Sequence, residues 1–300
     1  MLSLDIFGFN ALWSPYFLII LLVFTLAFFL ITTKFRTKFQ NSEPLTTKQA
    51  SLFLTAMVLL YAIKGSPLDL MGHLMFYIHG ITMVLLVFLV PPLFILSIPN
   101  WLWRTILNLK GIKPLFILFS KPIVALLLFN AFFSFYHIPI VFDHVMQNRY
   151  LHAGYSIILF VFAIGMWWSL ICPLPEFKNL TGIKKVAYIF VNSILITPAC
   201  ALIIFSDNSL YATYHDPKVW SQVMSLCVGP MFDNLNLTGP ELFSSMSAVE
   251  DQRLGGVVMK IIQEVIFAVV LGQVFFEWYR NDQEESEREM KKHVLNPTLE

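Results

Sequence analysis

The sequence predicts an all-α polytopic integral membrane protein: a bundle of seven transmembrane helices, N-terminus outside and C-terminus cytoplasmic. Three observations lead there. First, 57% of the 300 residues are hydrophobic and 13% charged, against about 45–50% and about 25% in soluble domains. Second, seven apolar segments approach the roughly 20 residues a helix needs to cross the hydrocarbon core. Third, the lysines and arginines between those segments fall mostly on one side.

The segments lie at 14–33, 50–63, 71–96, 115–136, 151–172, 186–205 and 256–278. The second is short, and charge decides that it is kept. With all seven in place, one set of loops holds Lys34, Arg36, Lys38, Lys48, Arg104, Lys110, Lys113, Lys178, Lys184 and Lys185, with Lys121 near the same face. The tail adds Arg280, Arg288, Lys291 and Lys292. The opposite loops hold only Lys64, Arg149, Lys218 and Arg253, with Lys260 just inside its helix. The basic side is expected to be cytoplasmic; without the second span, the cluster from Arg104 to Lys113 would lie outside. Residues 1–278 form one transmembrane domain and 279–300 a charged cytoplasmic tail, a short helix or a solvated end. The longest external loop, about 206–254, carries Asp207, Asp216, Asp233, Glu241, Glu250 and Asp251.

Several classes are set aside. A net charge of +1 with no basic stripe leaves no footprint for a nucleic acid. Cys172, Cys200 and Cys227 are odd in number and far apart; they offer no CxxC motif or disulfide framework and are expected to be small buried hydrophobes. No basic residue precedes the first apolar run and no A-x-A site follows it, so a cleaved signal peptide is not expected. No repeat or pair of broken helices marks a permease.

The candidate chemistry lies in the histidines. His73, His79, His137, His144, His152 and His215 fall at the outer ends of spans or in outer loops, and His293 alone is cytoplasmic. Singly, each fits an interfacial side chain with its polar end among headgroups; jointly, His79, His137 and His152 lie at similar depth on three helices. Met71, Met75, His79 and Met83 recur every fourth residue, so consecutive members share a helix face. Such stripes often serve packing, but thioether with imidazole also suits Cu(I). Asp143 and His144 lie between His137 and His152, and Asp143 or Tyr155 could orient an imidazole as partners of metal ligands do. The outer polar stripe Gly256, Met259, Lys260, Gln263, Glu264 should hold a Lys260–Glu264 pair or face a hydrated interior. With a loop of about fourteen residues joining spans four and five, His79, Met83, His137 and His152 are expected to converge on one outer pocket, with Met75 as a substitute ligand.

The strings HGITMVLLVFLVPPLFILSIP (79–99), FNAFFSFYHIPIVFDHVMQNRYLHAGY (129–155), MWWSLICPLPE (166–176), SDNSLYATY (206–214) and EDQRLGGVVMK (250–260) resemble, in order, the CtaG family of cytochrome c oxidase assembly factors of Gram-positive type. The resemblance implies a non-enzymatic seven-helix plasma-membrane protein of respiratory-chain biogenesis, a metallochaperone that helps copper into the catalytic subunit of a heme–copper oxidase. Its implied partners are that subunit, the lipid bilayer and an extracytoplasmic copper donor. The family's H-x3-[HM] falls on His79 and Met83, and its FSxYHxP histidine on His137. Its later H-x3-H is met only at His152, because Ser156 occupies the second place. The DQ-x-x-GG string, Asp251 to Gly256, is expected to cap the last helix. A competing expectation is a b-type cytochrome holding heme between two of His79, His137 and His152.

Overall fold

A computed structural model gives an all-helical chain and describes residues 3–229, 232, 235, 237 and 239–295; among them there is no strand. Asp233, positions 296–300 of the tail, and the side chains of Lys292 and His293 lie outside the described residues. In chain order the helices are α1 (Phe9–Trp13), α2 (Pro15–Phe29), α3 (Thr47–Lys64), α4 (Pro67–Leu74), α5 (Phe76–Val84), α6 (Val90–Ser97) and α7 (Asn100–Leu107). They continue as α8 (Ile112–Phe119), α9 (Pro122–Tyr136), α10 (Pro139–Met146), α11 (Arg149–Ile171), α12 (Ile183–Phe205), α13 (Pro217–Val228) and α14 (Ala248–Leu295).

Five stretches are long and apolar enough to cross a membrane: Phe9–Lys34, Phe76–Ser97, Arg149–Ile171, Ile183–Phe205 and Ala248–Arg288. Two bent pairs raise the number to seven if each is one span: α3 with α4, bent by 41°, and α8 with α9, bent by 79°. The outward faces are apolar, with Val23 and Leu26 on α2, Ile194 and Leu202 on α12, and Val265 and Val269 on α14 all exposed. Water would penalise that surface and lipid does not, while the helices satisfy their own backbone groups. The protein is a multi-pass membrane protein.

The breaks have local causes. Pro122 begins α9, and Lys121 before it is extended at ψ 128°, as residues preceding proline prefer. The fourth expected span is therefore not one straight helix: α8 buries none of its residues and turns sharply away. Within the third span, Pro91 has no N–H to give the Val87 carbonyl, and a π-turn covers Leu85–Leu89. The Trp167 indole fills the gap by donating to Val87 O at 3.1 Å. Phe88, Phe129, Phe133, Trp167 and Phe267 pack the centre, all nearly or fully buried. Asn130 Nδ2 donates to Asn192 Oδ1 at 2.7 Å, tying α9 to α12.

Contacts sort the connections into two ends. At the basic end, the Trp101 indole donates to Glu43 O and Arg104 pairs with Glu176 at 2.7 Å. The hydrogen bond from Arg104 holds the Glu176 carboxyl below its usual range. At the histidine end, the Tyr61 hydroxyl donates to Trp13 O and Lys64 pairs with Asp69. Here the long connection after α12 is folded: Asp216 caps α13 by accepting from Lys218 N, and Trp220 and Met224 pack against Leu70, Leu74, Met75 and Phe7 in a second apolar cluster.

Two further expectations are corrected. The four-residue stripe is not one helix face, because Met75 is extended at φ −135°, ψ 126° and separates α4 from α5. The last helix begins at Ala248 rather than near Gly256, and its first turn is capped by Ser247 and Glu250, each bonded to the other's backbone N–H. Asp251 caps α5 instead, accepting from Phe76 N at 2.7 Å and Tyr77 N at 3.0 Å. The helix then runs unbroken through Leu295, carrying much of the charged tail with it.

Candidate metal centre

His79 sits in the first turns of α5, whose position is set by close backbone approach. A Cβ on Gly255 of α14 would fall 2.5 Å from the Phe76 ring and 3.0 Å from Tyr77 Cα, and one on Gly80 would meet Gly255 O at 3.1 Å. Only residues without a side chain allow α5 and α14 to cross this closely. Together with the Asp251 cap, this fixes the depth and rotation of His79, which is buried.

Around His79 lie the Phe142 ring, edge-on at 5.2 Å, and Tyr136, whose hydroxyl is 3.3 Å from His79 Nε2. The His152 ring of α11 lies 6.5 Å away, centroid to centroid. His152 in turn meets the edge of His73, on α4, at 5.4 Å. His73, His152 and His79 therefore form a run of adjacent imidazoles drawn from three helices. His73 Nδ1 donates to Asp69 O at 2.8 Å, since a carbonyl oxygen can only accept. Cys227 of α13 packs against the second apolar cluster, which includes Leu70 and Leu74 of α4 on either side of His73 in sequence. His152 Nε2 is buried with no partner.

The other expected ligands are placed differently. His137 caps the end of α9, with Nδ1 held by Phe133 O at 2.7 Å and Nε2 buried and unpartnered. Its ring packs on Phe133 and Tyr136, so Tyr136 stands between it and His79. Met83 is buried in the central core, and Met75 in the second cluster. Among the described residues no three His, Cys, Asp or Glu side chains are arranged to hold one metal ion. Of the four expected ligands, His79 and His152 are neighbours, while Tyr136 packs against both His79 and His137.

Asp143 and Tyr155 do not orient imidazoles. Asp143 accepts from Ala212 N, Thr213 N and the Thr213 hydroxyl, at 3.0, 3.0 and 2.7 Å, and so fastens the chain after α12 onto α10. Tyr155 donates to Phe132 O at 2.7 Å. His144 and His215 are exposed. Lys260 and Glu264 do pair, at 2.6 Å, and both bond Ser193 of α12, so they brace the α12–α14 seam.

His73 was legible only as one more outer histidine, and Cys227 only as a small hydrophobe. No sequence signal shows that α13 folds back over α4. The Asp69 carbonyl four residues before His73 was the available clue, since it can fix the tautomer of a ligand histidine.

Fold and site together define a polytopic membrane protein with a run of adjacent imidazoles at one end of its bundle. The chain belongs to the cytochrome c oxidase caa3 assembly factor family, whose pattern matches residues 26–281. No curated protein and no solved structure matches the chain.

Proposed function

We propose that this protein helps copper reach the catalytic subunit of a heme–copper oxidase from the extracytoplasmic side of the plasma membrane, without catalysing a reaction. The observation that carries the reading is the run His73, His152, His79, which lies at the end opposite the basic loops. The positive-inside bias makes that end extracytoplasmic and favours seven spans, with both bent pairs crossing. Copper is cargo here. Imidazoles in contact, with no three-ligand cage among the described residues, suit an ion that is received and released rather than retained. The oxidase subunit is then the acceptor, and an extracytoplasmic donor supplies the ion.

The cytochrome alternative fits less well. The Tyr136 hydroxyl, 3.3 Å from His79 Nε2, and the Phe142 ring, edge-on at 5.2 Å, fill the space beside His79 that a macrocycle would need.

Deletion of the gene tests the proposal. In cells grown at low copper, the oxidase polypeptides and hemes are expected to persist while activity and copper per heme fall, both recovering on copper supplementation. Normal oxidase activity in the deletion strain at low copper overturns the reading.

A further inference from the structure

We infer that a cavity between the start of α12 and the point where α14 turns from apolar to charged, at the basic end of the bundle, binds the headgroup of a zwitterionic phospholipid of the phosphatidylethanolamine class. The inference draws on neither copper nor the oxidase. It stands on three observations.

The first is where the cavity lies. It encloses about 360 Å³ and is lined by Lys178, Lys185, Glu277, Trp278, Asn281 and Asp282, with Leu180 and Val274 in its apolar wall. Val274 belongs to the apolar run of α14, whereas the residues after Trp278 read YRNDQEE. From Val274 to Asp282 the helix rises only about 12 Å. The wall therefore passes from hydrocarbon to water over the depth that headgroups occupy. Trp278 marks the same level, as tryptophan does at membrane interfaces. Its ring is held against the chain before α12: a Cβ on Gly182, where φ is 51°, would fall 3.0 Å from Trp278 Cδ1.

The second is charge. Lys178 and Asp282 take part in no ion pair among the described residues, and Lys185 meets Glu277 only loosely, at 3.7 Å. Two ammonium groups and two carboxylates thus share one cavity, and their charges cancel. A headgroup of net negative charge gains nothing from such a lining. A dipolar one meets both signs: the lysines donate to phosphate oxygens, and the carboxylates accept from a primary ammonium, whose N–H groups a quaternary choline lacks.

The third is the surface beside the cavity. Ile183 on α12 and Phe275 and Phe276 on α14 are exposed, so acyl chains have an apolar face to lie on directly below the headgroup. Soluble phosphoethanolamine would offer the same charges and leave that face bare. The ligand is accordingly the lipid.

Native mass spectrometry of purified full-length protein tests this, after delipidation in detergent and addition of equal amounts of phosphatidylethanolamine, phosphatidylcholine and phosphatidylglycerol with identical acyl chains. Phosphatidylethanolamine should be retained over each of the others by at least about threefold, the scale of a few partly exposed charge contacts. Lys178→Gln and Asp282→Asn change exposed side chains with no ion pair to break, so the fold should be kept while each removes the preference. Lys110→Gln, exposed at the same end but outside the cavity, should match wild type. Glycerophosphoethanolamine at the lipid's own concentration should displace none of it. Equal retention of the three lipids, a preference for phosphatidylglycerol, or a phosphatidylethanolamine preference that survives both substitutions overturns the site. Displacement by glycerophosphoethanolamine overturns the lipid as its ligand.

Discussion

Replacing Asp251 by alanine should unseat the helix that carries His79. The Asp251 carboxylate is 5% exposed and accepts both Phe76 N and Tyr77 N, at 2.7 and 3.0 Å. Met75, at the head of α5, offers no side-chain cap of its own. An ordinary N-cap is worth about 0.5–2 kcal/mol, and each buried donor left unmet costs about 1–3 kcal/mol. Two donors would cost about 2–6 kcal/mol together, and water reaching the helix end should hold the loss to about 2–4 kcal/mol. At about 2–4 °C per kcal/mol for a chain of this order of size, the midpoint should fall by about 4–16 °C. Asp251→Asn keeps one acceptor oxygen and should lose about half as much. The assay is heat-induced loss of the monodisperse peak of a fluorescent fusion in detergent. Asp207→Ala serves as control, because the Asp207 side chain is 93% exposed and pairs only at the surface with Arg253. An Asp251→Ala protein as heat-resistant as Asp207→Ala would refute capping in trans.

Glycine positions give a paired test. Gly255→Ala should cost about 1–3 kcal/mol through overpacking against Phe76 and Tyr77, whereas Gly272→Ala, with nothing within 4 Å of its added carbon, should gain up to about 1 kcal/mol of helix propensity; equal midpoints would sink the close-crossing argument. For topology, reporter fusions after Arg36, Lys113, Lys184 and Arg288 should read cytoplasmic, and fusions within 65–70, 143–149 and 207–250 external. An external signal at Lys113 would remove the seven-span arrangement.

The long apolar helices were legible because a lipid-facing span must be continuously apolar: the fifth and sixth expected spans match α11 and α12 to within a few residues. Less legible were the places where backbone is satisfied by a distant group. Nothing local announces that Met75 is extended, since the donors its break exposes are met by Asp251, 175 residues beyond Phe76. The kink between α8 and α9 could have been anticipated from Pro122, whose effect on Lys121 is local. In the site, His79 and His152 were readable as residues of similar depth on separate helices, and they are neighbours. That Cys227 packs against the cluster holding Leu70 and Leu74 was not readable, because it depends on α13 folding over α4. Asp143 misled for a related reason: its partners, Ala212 and Thr213, lie in a segment that hydropathy marks only as a loop.

The same long-range cap bears on how the protein is made. Chains enter the membrane from the N-terminus onward, so α5 is inserted well before α14 has been synthesised. Until α14 arrives, Phe76 N and Tyr77 N must be satisfied by water or lipid headgroups, and the imidazole of His79 has no fixed place. A nascent or truncated chain lacking the last helix would therefore be unable to assemble its histidine run, however well its earlier spans had inserted. Completion of the polypeptide itself acts as the checkpoint for forming the histidine run.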